Sequence, residues 1–114
     1  MKPIPMSKEL VAAASRPMVL SILAGGESYG YEILQRVTLL SSGRVEWSDG
    51  MLYPVLRRLE QEGLIEGEWR TADSGRRRRY YCLSAAGRRQ LEVDRTGWLA
   101  MFGTLKLAWG GSDV

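Results

Sequence analysis

The chain of 114 residues contains no histidine, one cysteine and one phenylalanine. Without histidine, Ser-His-Asp and Cys-His arrangements, zinc hydrolase sites and most general acid and base schemes lose their central residue. The lone Cys82 excludes an internal disulfide and cannot assemble a transition-metal site, which fits a reducing compartment. No glycine-rich phosphate loop ending in Lys-Ser or Lys-Thr is present, and the carboxylates are scattered over segments that read as helix surfaces. The expectation is a protein that is not an enzyme, with no cofactor and no metal ion. No apolar run approaches the roughly 18 residues of a membrane span. The longest good candidate, Met18 to Ala24, reads as a core helix segment. The opening "MKPIPMSKEL" lacks the apolar stretch of a secretory leader, so the expected location is the cytoplasm, with no membrane partner.

What is abundant is positive charge in one place. Residues 1–69 carry seven Lys or Arg against nine Asp or Glu, a balance of −2, and residues 90–114 balance at −1. Residues 70–89 carry seven Arg against Asp73 alone, a balance of +6. A cluster this local marks contact with a polyanion more often than general solubility.

The segment "WSDGMLYPVLRRLEQEGLIEGEW" (Trp47 to Trp69) opens with helix signals. Ser48 suits an N-cap, Asp49 the positive end of the helix dipole, Trp47 and Leu52 a hydrophobic staple, and Gly63 the residue after the C-cap. Leu52, Val55, Leu56 and Leu59 follow the i, i+3, i+4, i+7 spacing of a core-facing stripe. Gly50, Pro54, Arg57 and Gln61 fall opposite, with Tyr53 and Arg58 on the flanks. A proline inside a helix removes a hydrogen bond and crowds the carbonyl four residues back, at about 3 kcal/mol. That carbonyl belongs to Gly50, which leaves the first turn room to open on the exposed face.

Ser7 caps a first helix through Ala14, with a kink or restart at Pro17 and core residues Met18, Leu20, Ile22 and Leu23. "AGGES" breaks it. A second helix is expected from Ser28 to Leu40 with Tyr31, Leu34, Val37 and Leu40 inward. After the third helix, Leu64 to Arg70 and Arg79 to Leu83 read as strands of a hairpin with the long polar tip "TADSGRRR". Ser84 caps a last helix interrupted by Gly87, Gly97 and Gly103, on which Leu91, Trp98, Phe102, Leu105 and Trp109 keep near-heptad spacing. The expected fold class is mainly α with a small β-hairpin (α+β). Three helices and a basic hairpin follow the order of a winged helix-turn-helix, in which the third helix enters the major groove. It occupies residues 1–83, and residues 84–110 form a C-terminal dimerisation helix within the same compact unit. A chain this short is marginal alone, so a second copy is the expected partner.

"YGYEI" (Tyr29 to Ile33), "GMLYPVLRRLEQEGLIEGEW" (Gly50 to Trp69) and "GRRRRYYCLSAAG" (Gly75 to Gly87) resemble the PadR family of transcriptional regulators over roughly residues 18–90. The single last helix resembles the smaller branch, which includes multidrug-sensing repressors. The resemblance implies a homodimer joined through that helix, binding a palindromic operator in double-stranded DNA and releasing it on ligand binding. Two positions depart from the family pattern. Met51 stands where Thr is common, so a hydroxyl contact is absent, and Arg76 to Arg79 run without the proline often found in the wing.

The expected DNA-binding residues are Ser48, Gly50, Met51, Tyr53, Pro54, Arg57, Arg58, Arg76, Arg77 and Arg78. Tyr53 also reads as a buried-edge aromatic, Arg57 and Arg58 as solvated charges, and the arginine run as a solvated turn. Tyr31, Trp69, Tyr80 and Tyr81 read as packing residues. Leu91, Leu99, Leu105 and Trp109 are expected at the dimer interface. Trp98 reads equally as interface core or as an effector contact. Gly97 and Gly103 leave small gaps beside it, Met101 and Phe102 supply adaptable walls for a planar apolar or cationic effector, and Asp94 reads either as attraction for a cationic one or as a pair for Arg95 or Lys106 of the partner subunit. The family resemblance implies the same, because the drug-sensing branch stacks planar molecules between two such tryptophans. Two other classes remain open, an RNA or single-strand binding module and a protein-interaction adaptor.

Overall fold

The computed structural model describes residues 6–111; the leader reading of residues 1–5 lies outside them. Helices α1 (Lys8–Ala13) and α2 (Ser15–Ala24) are followed by strand β1 (Ser28–Tyr29), α3 (Gly30–Leu40) and α4 (Asp49–Gln61). Strands β2 (Ile65–Thr71) and β3 (Arg77–Leu83) and the long helix α5 (Ala85–Ala108) complete the chain. The sheet is antiparallel in the order β1-β3-β2, so the expected two-stranded hairpin gains a third strand from Ser28 and Tyr29. None of the described helices is long and apolar enough to cross a membrane.

The core lies where α2, α3 and α4 converge beneath the sheet. Val19, Leu20 and Leu23 of α2 meet Ile33 and Val37 of α3 and the stripe Leu52, Leu56 and Leu59 of α4, all fully or almost fully buried. Trp47 packs against this core from just outside α4, as a staple residue should. The end of α4 is a Schellman motif. Gly63 takes the left-handed conformation (φ 74°), its N–H donates to the Glu60 carbonyl and the Leu64 N–H to that of Leu59. At the other end Ser48 occupies the N-cap, but its hydroxyl makes no capping bond; its carbonyl accepts from Met51 and Leu52.

Three expectations need correction. Ser28 and Tyr29 form a strand, so α3 starts at Gly30. Its buried stripe becomes Gly30, Ile33 and Val37, and Tyr31 (64% exposed) and Leu40 (68%) are turned outward. The wing strand β3 begins at Arg77 instead of Arg79, because Thr71 and Arg70 pair with Arg77 and Arg78 and shorten the tip to Ala72–Arg76. Helix α5 runs unbroken through its glycines. A glycine costs about 1 kcal/mol relative to alanine, too little to interrupt a helix of this length.

Two joints hold α5. At its start, the Ser84 hydroxyl accepts from the Gly87 N–H (3.0 Å) and donates to the Gly63 carbonyl (2.6 Å), tying the helix to the end of α4. Gly87 is required there, since a Cβ would lie 2.0 Å from the Leu64 carbonyl oxygen. Further along, Arg16 of α2 donates two hydrogen bonds to Asp94 (2.8 and 2.7 Å), and Gln90 donates a third at 2.9 Å. Asp94 is therefore buried against α2, with its carboxylate engaged by Arg16 and Gln90 of its own chain. Leu91 packs against the core of its own chain.

The Arg16 hydrogen bonds hold the Asp94 carboxyl below its ordinary value of 3.8. A depressed folded-state value means that the stabilisation is present above that ordinary value and is lost as pH falls through the folded one. Asp94→Asn should therefore lower stability by about 1–2 kcal/mol at pH 7, less than for a fully buried pair because Arg16 is half-exposed. The difference from wild type should shrink as pH falls below about 4. Thermal unfolding of both proteins between pH 7 and pH 2 measures this, and a difference independent of pH would contradict it.

Candidate nucleic-acid interface

The outer face of α4 and the hairpin enclose a groove of about 780 Å³. Tyr53 and Arg57 of α4 form one wall, Trp69 and Arg76 to Arg79 of the hairpin the other, and Tyr29 to Tyr31 close one end. The buried stripe Leu52, Leu56 and Leu59 fixes which face of α4 looks outward, and this face carries Gly50, Met51, Tyr53, Pro54, Arg57 and Arg58, all exposed. Tyr53 is held in place by Gly30: a Cβ there would lie 2.7 Å from the tyrosine oxygen. It is neither buried nor free, with 44% of its surface exposed.

The structure brings Tyr53, Arg57, Arg76, Arg77 and Arg78 around one groove. Ser48, Gly50, Met51, Pro54 and Arg58 lie on the same helix surface but outside the groove lining. Pro54 is exposed, which places its missing hydrogen bond on the solvent side of α4.

The arginines divide by partner. Arg70 is bound to Glu27 (2.5 and 2.8 Å) and to Glu68 (3.0 Å), and its guanidinium lies 4.9 Å from the centre of the Tyr80 ring. The Glu27 carboxyl is held below the usual carboxylate range by the same hydrogen bonds. Arg79 is bound to Glu60 at 2.5 Å. Arg57, Arg76, Arg77 and Arg78 make no salt bridge among the described residues. Arg78 sits over Tyr29 (4.4 Å) and Arg77 over Trp69 (5.2 Å), so both cations are ordered on aromatic faces while keeping their charge unpaired. The groove lining holds five Arg against Asp49 and Glu60, a balance of +3. Such a surface attracts a polyanion and contains no nucleophile-base pair for chemistry.

The geometry agrees with the family comparison. The model of the transcriptional regulator PadR-like family matches residues 19–93. The chain belongs to this family. A transcriptional regulator of Mycobacterium tuberculosis, Rv3488, is 41% identical over 88 residues, covering 77% of this chain and 78% of that protein. The crystal structure of a PadR-like transcriptional regulator from Bacillus cereus superposes with a TM-score of 0.79 at 29% identity, covering 91% of this chain and 99% of that one. The structure of smu.1704 from Streptococcus mutans superposes equally well (TM-score 0.79, 27% identity), covering 99% and 98%. The chain is thus a DNA-binding transcriptional regulator of winged-helix fold and not an enzyme. The family match ends at residue 93, before Trp98 and the exposed part of α5.

Trp69 and Tyr31 were expected to be packing residues, and the structure corrects both. Trp69 is 55% exposed and Tyr31 64%, and both line the PadR groove. The exposure of Trp69 depends on strand register, which sets it opposite Arg79, and that of Tyr31 on the start of α3 at Gly30; hydrophobicity along the sequence encodes neither. On α5, Trp98, Leu99, Met101, Phe102, Leu105 and Trp109 are all exposed. Trp98 and Leu99 border a second groove of about 450 Å³ with Pro17, Ser21, Ala24 and Leu91, and Met101 and Phe102 lie outside its lining.

Proposed function

We propose that the protein is a ligand-responsive repressor that binds a palindromic operator as a homodimer. Helix α4 enters the major groove with Tyr53 and Arg57 at the base edges, while Arg76, Arg77 and Arg78 meet phosphates along the wing. Ser48, Gly50, Met51, Pro54 and Arg58 supply the close backbone approach around them. The observation that carries this reading is the set of four arginines that have no carboxylate partner among the described residues and face one groove beside the outer face of α4. Residues 1–83 do the DNA binding and residues 84–110 the dimerisation, in the cytoplasm where the chromosome is.

A single-strand or RNA module is less well supported, because Tyr29 and Tyr80 already have Arg78 and Arg70 over their faces and contact each other edge-on at 5.4 Å. Stacking of bases requires open aromatic faces. A protein-interaction adaptor leaves the unpaired arginines without a role. Gel shifts with duplex DNA, single strands and RNA separate the three. Duplex binding should weaken steeply with salt, by about 0.9 in log slope for each neutralised phosphate. Replacing Arg77 and Arg78 with Ala should weaken all duplexes nearly equally and reduce the slope by nearly 2, whereas Arg57→Ala should change preference among sequences by about 1–3 kcal/mol. Salt-independent binding, or tighter binding to single strands, contradicts the reading.

The dimer reading is supported by the exposed apolar face of α5, on which Trp98, Leu99, Phe102, Leu105 and Trp109 stand uncovered in one chain. Leu91, partly buried against its own core, borders the same groove as Trp98 and Leu99 and stays in the proposed interface, while the Asp94 carboxylate is engaged by Arg16 of its own chain. Trp98, Met101 and Phe102 remain the residues for a planar apolar or cationic effector between two copies. Leu105→Glu should give monomers in sedimentation velocity, and Trp98→Ala should lower the affinity of planar dyes followed by the fluorescence of the remaining tryptophans. A wild-type monomer at micromolar concentration contradicts the dimer, and unchanged dye affinity returns Trp98 to interface packing.

A further inference from the structure

Glu60 is out of place. It lies on the recognition helix and lines a groove whose other charges are mostly positive, where a carboxylate near phosphates is electrostatically unfavourable. Its partner is Arg79 of the wing, whose Nη2 donates to Oε2 at 2.5 Å with both side chains about a third exposed. Among the described residues no other side-chain hydrogen bond joins α4 to the hairpin.

The approach of Arg79 to Glu60 is built into the strands. Arg79 is paired in register with Trp69, yet its guanidinium lies over Gly67, two residues back on β2. A Cβ on Gly67 would lie 2.6 to 2.8 Å from three guanidinium atoms, so the absence of a side chain there is what lets the arginine cross. The rings of Trp69 and Tyr81 lie 5.7 and 5.8 Å from it. The hydrogen bond that Arg79 donates to Glu60 raises the pKa of the guanidinium further above its already high value.

We propose that Glu60 and Arg79 are positioning residues: a brace that sets the angle of the wing over the recognition helix, with neither side chain contacting DNA. This sets Arg79 apart from Arg76, Arg77 and Arg78, its neighbours in an otherwise uniform run. The inference rests on the DNA reading of this groove.

The brace and simple electrostatics predict opposite signs for Glu60→Gln. Removing an acid within a Debye length of phosphates should tighten binding if charge alone matters. If the brace positions the wing, affinity for duplex DNA should instead fall about tenfold at fixed salt. The salt slope should not decrease, whereas Arg77→Ala should lower it by about 0.9. Glu60→Asp, which keeps the charge but shortens the reach, should lose affinity to a similar degree. Arg79→Gln combined with Glu60→Gln should be no worse than either change alone, since both break the same bond. Fluorescence anisotropy of a labelled duplex titrated with each variant of the full chain, with circular dichroism confirming the fold, gives all of these values. Should Glu60→Gln fail to fold, Glu60→Asp decides the matter. Equal or tighter binding by Glu60→Gln, or by Glu60→Asp where that variant decides, contradicts the brace while leaving the DNA reading intact. Failure of the wild type to bind duplex contradicts both.

Discussion

The burial of Leu52, Leu56 and Leu59 orients everything else in the molecule. Each is fully or almost fully buried, and each buried leucine side chain contributes about 2 kcal/mol relative to exposure. Rotating α4 to bury Tyr53 or Arg57 would forfeit this stripe and desolvate a charge. The outer face of the helix is therefore fixed by what the inner face buries. Once it is fixed, Pro54 is on the outside, Tyr53 rests against Gly30, and Arg57 faces the wing. The Schellman turn at Gly63 then ends the helix and delivers the chain directly into β2.

Within the wing, sequence proximity does not mean equivalence. Five arginines fall within Arg70 and Arg76 to Arg79, and two of them, Arg70 and Arg79, are held by carboxylates. Those two shape the protein, and the remaining three keep their charge available. The local balance of +6 over residues 70–89 therefore overstates the charge available to a polyanion, by at least the two arginines that salt bridges occupy. Helix α5 is anchored at both Ser84 and Asp94, so its exposed half is joined firmly to α2 and to the end of α4. The hydrogen bond from Ser84 to the Gly63 carbonyl joins its first turn to the end of α4.

Much of this was legible in the sequence because it depends on short-range periodicity. The α4 stripe, its caps, the restart near Pro17 and the order of helices and hairpin all follow from spacing within one or two turns. What was not legible depends on pairing across distance. Strand β1 has two residues, too short for any alternation to show, and it exists because β3 offers an edge. Trp69 and Tyr31 have apolar rings, and only the register of β2 against β3 and the late start of α3 turn them outward. Asp94 sits near the middle of an amphipathic helix, and its partner Arg16 is 78 residues away. The run Arg77 to Arg79 has no hydrophobic alternation, so its strand forms through backbone pairing with Trp69 to Thr71.

The central claim is that the groove between α4 and the hairpin is the DNA face of this PadR regulator. The four tryptophans, Trp47, Trp69, Trp98 and Trp109, report on it from distinct places in the fold. Trp69 lines the groove, Trp47 packs at the core on the far side of the α4 start, and Trp98 and Trp109 lie on α5. Nitrogen-15 correlation spectra of the indole N–H groups, recorded while duplex operator DNA is added, test the claim directly. The account predicts a large shift of the Trp69 signal and small shifts of the Trp47 and Trp109 signals. A Trp69 signal that stays in place while those of α5 move would contradict it.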